Sequence, residues 1–120
     1  MDELIKEPWD NKAYRTLREG KTEIFNELIG ENTDLDLRDC NLSGVDLRKV
    51  NLNRVHLSGA LMKNVDLRDV DLRKHNLCGA SIQGAKITGT FFPDNISATE
   101  ILMSLEHGTR LRVLYAHNED

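Results

Sequence analysis

The chain has 120 residues and a formal net charge of -4, and this length allows one domain with a thin core. No apolar run approaches the ~20 residues that cross a bilayer. The acidic start at residues 1–5 lacks the basic region of a secretion signal, so we expect a cytoplasmic protein without a membrane partner. Cys40 and Cys78 show neither CxxC spacing nor histidines at metal-finger intervals, which predicts free thiols, no metal and no cofactor.

Two short helices are predicted before residue 34. Residues 10–20 and 21–30 carry apolar side chains at helical spacing, Tyr14 and Leu17 in the first stretch and Ile24, Phe25, Leu28 and Ile29 in the second. Trp9 is expected to pack beneath them. We interpret residues 1–33 as an N-terminal helical cap of the region that follows.

A period of five residues dominates the centre of the chain. Every fifth residue is large and apolar, and a second, smaller series lies two residues before it, in which only His75 and Thr90 are polar. Residues two apart share a side of an extended chain, whereas five residues turn a helix by ~500°. Short extended segments joined by corners fit this spacing and predict an all-β solenoid. The predicted structural core is Leu37, Leu42, Leu47, Leu52, Leu57, Met62, Leu67, Leu72, Leu77, Ile82, Ile87 and Phe92.

The corners need a permissive backbone, which Gly, Asn and Asp supply two residues after many of the large apolar positions. Residues 45–52 and 65–72 match at six of eight positions, which favours twenty residues per coil. The repeats also match one another at offsets of 5 and 25 residues, so the sequence leaves the coil length open.

The run CNLSG VDLRK VNLNR VHLSG ALMKN VDLRD VDLRK, residues 40–74, resembles the pentapeptide-repeat family, whose loose consensus is A(D/N)Lxx. Twelve tandem units over residues 35–94 carry the resemblance. It implies a right-handed quadrilateral β-helix of about three coils over residues 34–94, with short α-helical caps at both ends.

The C-terminal segment, residues 95–120, is predicted to be a capping helix and tail. Ser97 and Glu100 form a capping box for a helix to about His107, closed by Gly108. Some relatives pair two solenoids through this end, so the resemblance implies a homodimer, and folding back onto the last coil is the alternative. The candidate cap or dimer contacts are Ile101, Leu105, Leu111, Leu114 and Tyr115.

Two further features suggest sites. With twenty residues per coil, Asp36, His56 and Asn76 form an outward column near Ser58, but a flat ladder lacks the cleft and oxyanion hole of a hydrolase.

His75 occupies an inward slot. A ligand-binding or pH-sensitive site is one interpretation, and a histidine hydrogen-bonded within the last coil is the one we favour.

Basic residues suggest a partner-binding face. The candidates are Arg48, Arg54, Arg68, Arg73 and Lys74, and the alternative is a solvated face of compensating charges. Because no aromatic residue interleaves them, we expect no direct binding of nucleic acid.

We therefore expect a bacterial, non-enzymatic protein-binding or scaffolding module whose partner the sequence does not name. Export as an effector stays open. The alternative comes from relatives that protect DNA gyrase or topoisomerase IV by imitating DNA. Double-stranded DNA carries one negative charge per ~1.7 Å, whereas residues 34–94 hold nine basic and eight acidic side chains, which disfavours imitation.

Overall fold

The computed structural model describes residues 5–116, so the acidic start at residues 1–4 and the last four residues of the predicted tail lie outside it. Two helices precede the repeats, one follows them, and two short strands pair in parallel. The elements are α1 (Lys12–Arg18), α2 (Thr22–Ile29), β1 (Leu35–Asp36), β2 (Val55–His56) and α3 (Ala98–His107). Within the described range, no helix is long and apolar enough to cross a membrane.

Wherever bridges join two repeat units, the paired residues are twenty apart. β1 pairs with β2 in the register Leu35 with Val55, and every bridge between two repeat residues keeps the same offset. The bridges join Asn41 with Leu61, Asp46 with Asp66, Leu61 with Ser81, Asp66 with Lys86, and Asp71 with Phe91. We therefore divide the repeats into layer 1 (35–54), layer 2 (55–74) and layer 3 (75–94). Each layer holds four pentapeptide units, which form sides one to four of the stack in chain order.

The core runs up the middle of the three layers. Ten of the twelve predicted core residues, Leu37 to Ile82, are buried, and Ile87 and Phe92 at the upper end are partly buried. Cys40 lies in the same core, whereas Cys78 is exposed, and both are free thiols. Burying one such aliphatic side chain contributes about 1.5–3 kcal/mol, so the inward series is the main source of stability.

Most corners turn through a left-handed residue. An example is Gly59, where an added Cβ would overlap the carboxylate of Asp39 in the layer below. The left-handed corners are Asp39, Gly44, Gly59, Asn64, Asp69, Gly79, Gly84 and Gly89, with φ between 61° and 80°. Gly and, less readily, Asn and Asp tolerate this conformation. The corner residues Lys49, Arg54 and Lys74 are not among the left-handed residues of the described chain.

The N-terminal cap differs in detail from the sequence prediction. Asn11 caps α1 by accepting the Tyr14 N–H at 3.0 Å, and the Tyr14 hydroxyl donates to the Asn41 carbonyl at 2.6 Å. Trp9 does not pack beneath the helices, because it is 44% exposed and meets Tyr14 edge-on at 5.3 Å. Ile24 and Leu28 are also exposed. The eight-residue α2 directs only a narrow stripe, Phe25 and Ile29, at the core.

The C-terminal cap closes layer 3. Ser97 accepts the Glu100 N–H at 3.1 Å, and α3 ends at the left-handed Gly108, but the Glu100 carboxylate does not complete the capping box. It instead accepts the Arg112 N–H, Nε and Nη2 at 2.9, 2.9 and 2.6 Å. Leu111 then adds to the stack, since its N–H donates to Ala80 and its carbonyl accepts from Gly79.

Candidate binding surfaces

An Asp-Leu-Arg triplet forms the same outward clamp at four places. The aspartate accepts the arginine N–H at 3.0–3.2 Å, the Nε at 2.9–3.0 Å and the Nη2 at 2.7–2.8 Å. The geometry follows from extended backbone, which places residues two apart on the same side. The clamps are Asp36–Arg38, Asp46–Arg48, Asp66–Arg68 and Asp71–Arg73. The arginine hydrogen bonds hold the pKa of each aspartate below its usual range.

On side three the clamps connect into a ladder. Asp46 lies beneath Asp66, and the Arg48 Nε reaches up to the Asp66 carboxylate at 3.3 Å. The side chain of Asp66 is 13% exposed, whereas those of Arg48 and Arg68 are 45% and 41% exposed. Guanidinium groups carry five donors each, so the two predicted partner-binding arginines stay available to a partner while their own carboxylates fix their positions.

The β-ladder between layers is open at one corner of the stack. On sides two and three, the amide of the outward-facing residue donates to a backbone carbonyl of the layer below, and its own carbonyl accepts from a backbone amide of that layer. This pattern holds both between layers 1 and 2 and between layers 2 and 3. Within residues 5–116, no such backbone bonds join residue 71 to layer 1 or residue 76 to layer 2. The amides of Leu57 and Asn76 are left without a partner in this part of the chain. The segments 51–57 and 71–76 therefore border an opening, which we call the corner groove.

Two features of the sequence account for the corner groove. The amides of left-handed corner residues donate to the layer above, as Asp39 does to Ser58 and Asn64 does to Gln83. The described chain shows no such bond for Lys49, Arg54 or Lys74, since Lys and Arg adopt the left-handed turn less readily than Gly, Asn or Asp. The other feature is an inward-facing histidine.

The imidazole of His75 occupies an inward slot that holds Leu35 and Val55 in the layers below. Its Nε2 lies 2.9 Å from the Leu52 carbonyl of layer 1, so Nε2 carries the proton, because a carbonyl only accepts. Its Nδ1 is buried and has no hydrogen-bond partner within the described residues. We predicted hydrogen bonding within the last coil, but the partner belongs to layer 1. The ring therefore reaches below its own layer, beside the open ladder.

The corner groove has a volume of about 540 Å³ and is mainly cationic. Arg54 pairs with Asp34 at 2.9 Å and Arg38 with Asp36 at 2.8 Å, and Lys74 forms no ion pair among residues 5–116. The lining residues are Arg38, Asn53, Arg54, Val55, His56, Leu57, Ser58, Asp71, Lys74, His75 and Asn76. Asp71 is the one carboxylate in this lining, and the Arg73 clamp already engages it.

The five predicted partner-binding bases do not form one face. Arg48 and Arg68 lie on side three, and Arg54 and Lys74 lie in the corner groove. Arg73 stands on side four, where its guanidinium lies 4.8 Å from the Phe91 ring centre. The stack therefore offers three separate basic sites.

The residues predicted to form cap or dimer contacts fall into two groups, one packed on layer 3 and one exposed. Leu111 is buried against layer 3, and Ile101 and Leu105 are partly buried, so these three fold back onto the stack. Leu114 and Tyr115 are exposed. The homodimer stays a prediction.

A family model described as pentapeptide repeats (8 copies) matches residues 33–69 and, again, residues 60–93. Together the two matches cover half of the chain. The chain belongs to the pentapeptide-repeat family. Membership implies a β-helix solenoid, and pentapeptide-repeat proteins are generally protein-interaction modules.

Among solved structures, this pentapeptide-repeat protein is similar to HetL, from the cyanobacterium Nostoc sp. strain PCC 7120. HetL is described as a pentapeptide repeat protein involved in heterocyst differentiation regulation. The identity is 30%, the match covers 49% of this chain and 30% of the HetL chain, and the TM-score is 0.31. No curated protein matches the chain.

The outward column Asp36, His56 and Asn76 does not assemble as a catalytic triad. The Asp36 carboxylate is engaged by Arg38, and in the described part of the protein no hydrogen bond links its side chain to that of His56. Residues 5–116 also contain no group of three or more His, Cys, Asp or Glu placed to hold a metal ion. The column instead contributes His56 and Asn76 to the lining of the corner groove.

Sequence reasoning missed the corner groove as a whole. It identified His75 as unusual and Arg54 and Lys74 as surface bases, but it did not connect them. The available signal was the corner series, in which Gly, Asn or Asp gives way to Lys or Arg at residues 49, 54 and 74.

Proposed function

We propose that this pentapeptide-repeat protein is a non-enzymatic protein-binding module built on a right-handed quadrilateral β-helix of about three coils. The uniform offset of twenty residues between paired positions and the four units per layer support this architecture. Family membership supports the binding role.

The observation that carries the proposal is the set of four Asp-Arg clamps. Each clamp fixes a long, flexible arginine side chain against a rigid layer before any partner arrives. Ordering such a side chain on binding costs about 0.5–1.5 kcal/mol, so a pre-ordered arginine binds with a smaller entropic loss. The bases on sides three and four, Arg48, Arg68 and Arg73, are therefore the proposed partner-binding residues on these faces.

The same clamps disfavour the imitation of DNA. Each carboxylate in a clamp faces a guanidinium at 2.7–2.8 Å, so these rows present paired charges. A mimic of the phosphate backbone needs a continuous negative row instead.

The test is quantitative capture of host proteins, followed by direct binding of any protein that is captured. We expect one saturable partner for the wild type, and we expect Arg48→Glu/Arg68→Glu to lose about tenfold or more in affinity, because like charges at an interface repel. Lys63→Glu is the control for a charge reversal elsewhere, since Lys63 is an exposed base on side two. It reverses one charge where the double variant reverses two. A partner that binds both variants equally, or no saturable partner, would contradict the proposal.

A further inference from the structure

The corner groove is bordered by main-chain groups that the rest of the ladder uses internally. In the closed parts, amides equivalent to that of Leu57 donate to the layer above, as Leu47 does to Asp66 at 3.0 Å and Leu67 does to Lys86 at 2.8 Å. The amide of Leu57 lacks such a partner among the described residues. Backbone donors without an internal partner must be satisfied by water or by a ligand. The opening is therefore a place where a ligand can gain main-chain hydrogen bonds.

The charge of the lining selects anions. The lining holds three bases, Arg38, Arg54 and Lys74, and one carboxylate, that of Asp71, which Arg73 already binds. Arg38 and Arg54 are themselves paired with Asp36 and Asp34 beside the groove, so the excess positive charge is that of Lys74. Lys74 has no ion-pair partner in the described chain. An incoming anion would meet this ammonium group without first displacing a carboxylate of the protein.

The chemistry already present in the corner groove favours carboxylates. Arg54 contacts the Asp34 carboxylate at 2.9 Å, and Arg38 holds Asp36 through both Nε and Nη2. These guanidinium groups are thus oriented for carboxylate oxygens. The volume of about 540 Å³ lies within the range of ligand sites and exceeds what one carboxylate needs. The lining has no aromatic residue other than histidine on which nucleic acid bases could stack.

We propose that the corner groove binds an acidic segment of a protein partner, whose Asp or Glu carboxylates meet Lys74 and Arg54 and the amide of Leu57. The inference rests on the proposed protein-binding function and adds the chemical class of the partner. It concerns a different surface from the clamps on side three, so the two can fail separately.

Hydrogen exchange tests the premise that the ladder is open in solution. The amide of Leu57 should exchange at least about tenfold faster than those of Leu47 and Leu67, because only the latter two have internal partners. Exchange as slow as that of Leu47 would show a closed ladder and would overturn the inference.

Amide NMR titration of the full chain with a hexaglutamate peptide tests the site itself. We expect saturable shifts centred on Leu57, Lys74 and Asn76, and no such shifts with hexalysine. Lys74→Glu should weaken binding by about tenfold or more, and Lys63→Glu, which makes the same charge change away from the groove, should change it by less than about threefold. Equal losses in the two variants would reduce the effect to net charge and overturn the inference.

The variant His75→Val separates the shape of the corner groove from its charge, since it keeps every lysine and arginine of the lining. If Leu57 becomes protected from exchange, hexaglutamate binding should fall by about tenfold. If the Leu57 amide becomes protected and hexaglutamate still binds with unchanged affinity, the inference is overturned. If the ladder stays open in this variant, binding should persist, and its loss would count against the inference.

Inorganic phosphate distinguishes the source of the anion. Phosphate that saturates the same amides while hexaglutamate does not would reject a protein segment in favour of a phosphate ligand. Shifts confined to side three, around Arg48 and Arg68, would likewise reject the corner groove, yet they would leave the proposed protein-binding function in place.

Discussion

Side three and the corner groove are built from the same repeat and behave in opposite ways. On side three, the column Asp46, Asp66 and Lys86 bonds through both interfaces between layers. At the corner groove, the segment 71–76 makes no ladder bonds to the layer beneath it in the described structure. Both regions bury leucines inside, so the difference lies in the corners and in the inward slot. A pentapeptide ladder thus stays closed only where these positions suit it.

The largest expected effect comes from removing a core leucine on the closed side. Leu67 is fully buried between closed interfaces, so Leu67→Ala should lower the free energy of unfolding by about 2–5 kcal/mol, because the rigid layers cannot fill the cavity. Leu52→Ala, next to the corner groove, should cost less, since the open segments can relax around it. Urea unfolding with an unchanged m-value measures both. Equal losses in the free energy of unfolding would mean that the open segments do not relax around the cavity at Leu52.

The part of the fold that depends on a strict period could be predicted from the sequence. The inward leucines recur every five residues, and the structure places Leu37 to Ile82 in the core. The offset of twenty residues, which the sequence left open, follows from the pairing of Leu35 with Val55. Repetition made these features readable, because one physical rule applies at every unit.

Features that break the period could not be placed in advance. His75 was recognisable as a polar residue in an apolar series, but its bond to the Leu52 carbonyl depends on the space between layers. The clamp between Asp66 and Arg68 needs only local geometry and could have been inferred from their spacing. The contact of Arg112 with Glu100 could not be predicted, because it depends on how the segment after α3 folds back onto that helix.

A smaller effect is expected when the inward histidine is replaced. His75→Val removes the buried Nδ1, which has no partner among residues 5–116, and should raise the free energy of unfolding by about 1 kcal/mol. The Leu52 carbonyl keeps its bond from the Val55 N–H at 3.1 Å, so it is not left unsatisfied.

Thr90→Val is the matched control for that replacement. Thr90 is the other polar residue of the inward series, and its hydroxyl donates to the Leu67 carbonyl at 2.6 Å beside a closed interface. Removing a satisfied hydroxyl should give no gain in stability. If Thr90→Val stabilised the protein as much as His75→Val, the unpartnered Nδ1 would not explain the gain.

The smallest effect concerns the clamps and appears in acid. Arginine hydrogen bonds hold the pKa of Asp66 and Asp71 well below the usual range, so their stabilising contribution is complete above the ordinary carboxyl pKa of about 3.9. It is lost as the pH falls further, because the folded state must then take up protons that the unfolded state already holds. Asparagine at either position should therefore lower the thermal midpoint at pH 7 slightly and reduce its decline below pH 4.

Asp66→Asn should show this acid effect more strongly than Asp71→Asn. Asp66 contacts two arginines, Arg68 at 2.7 Å and Arg48 at 3.3 Å across the closed interface, whereas the Asp71 clamp holds one, Arg73 at 2.8 Å. Thermal unfolding of both variants between pH 7 and pH 2 measures the order. The reverse order would show that the contact between layers on side three adds nothing to the local clamp, and the closed ladder would then owe its stability to backbone pairing and the leucine core alone.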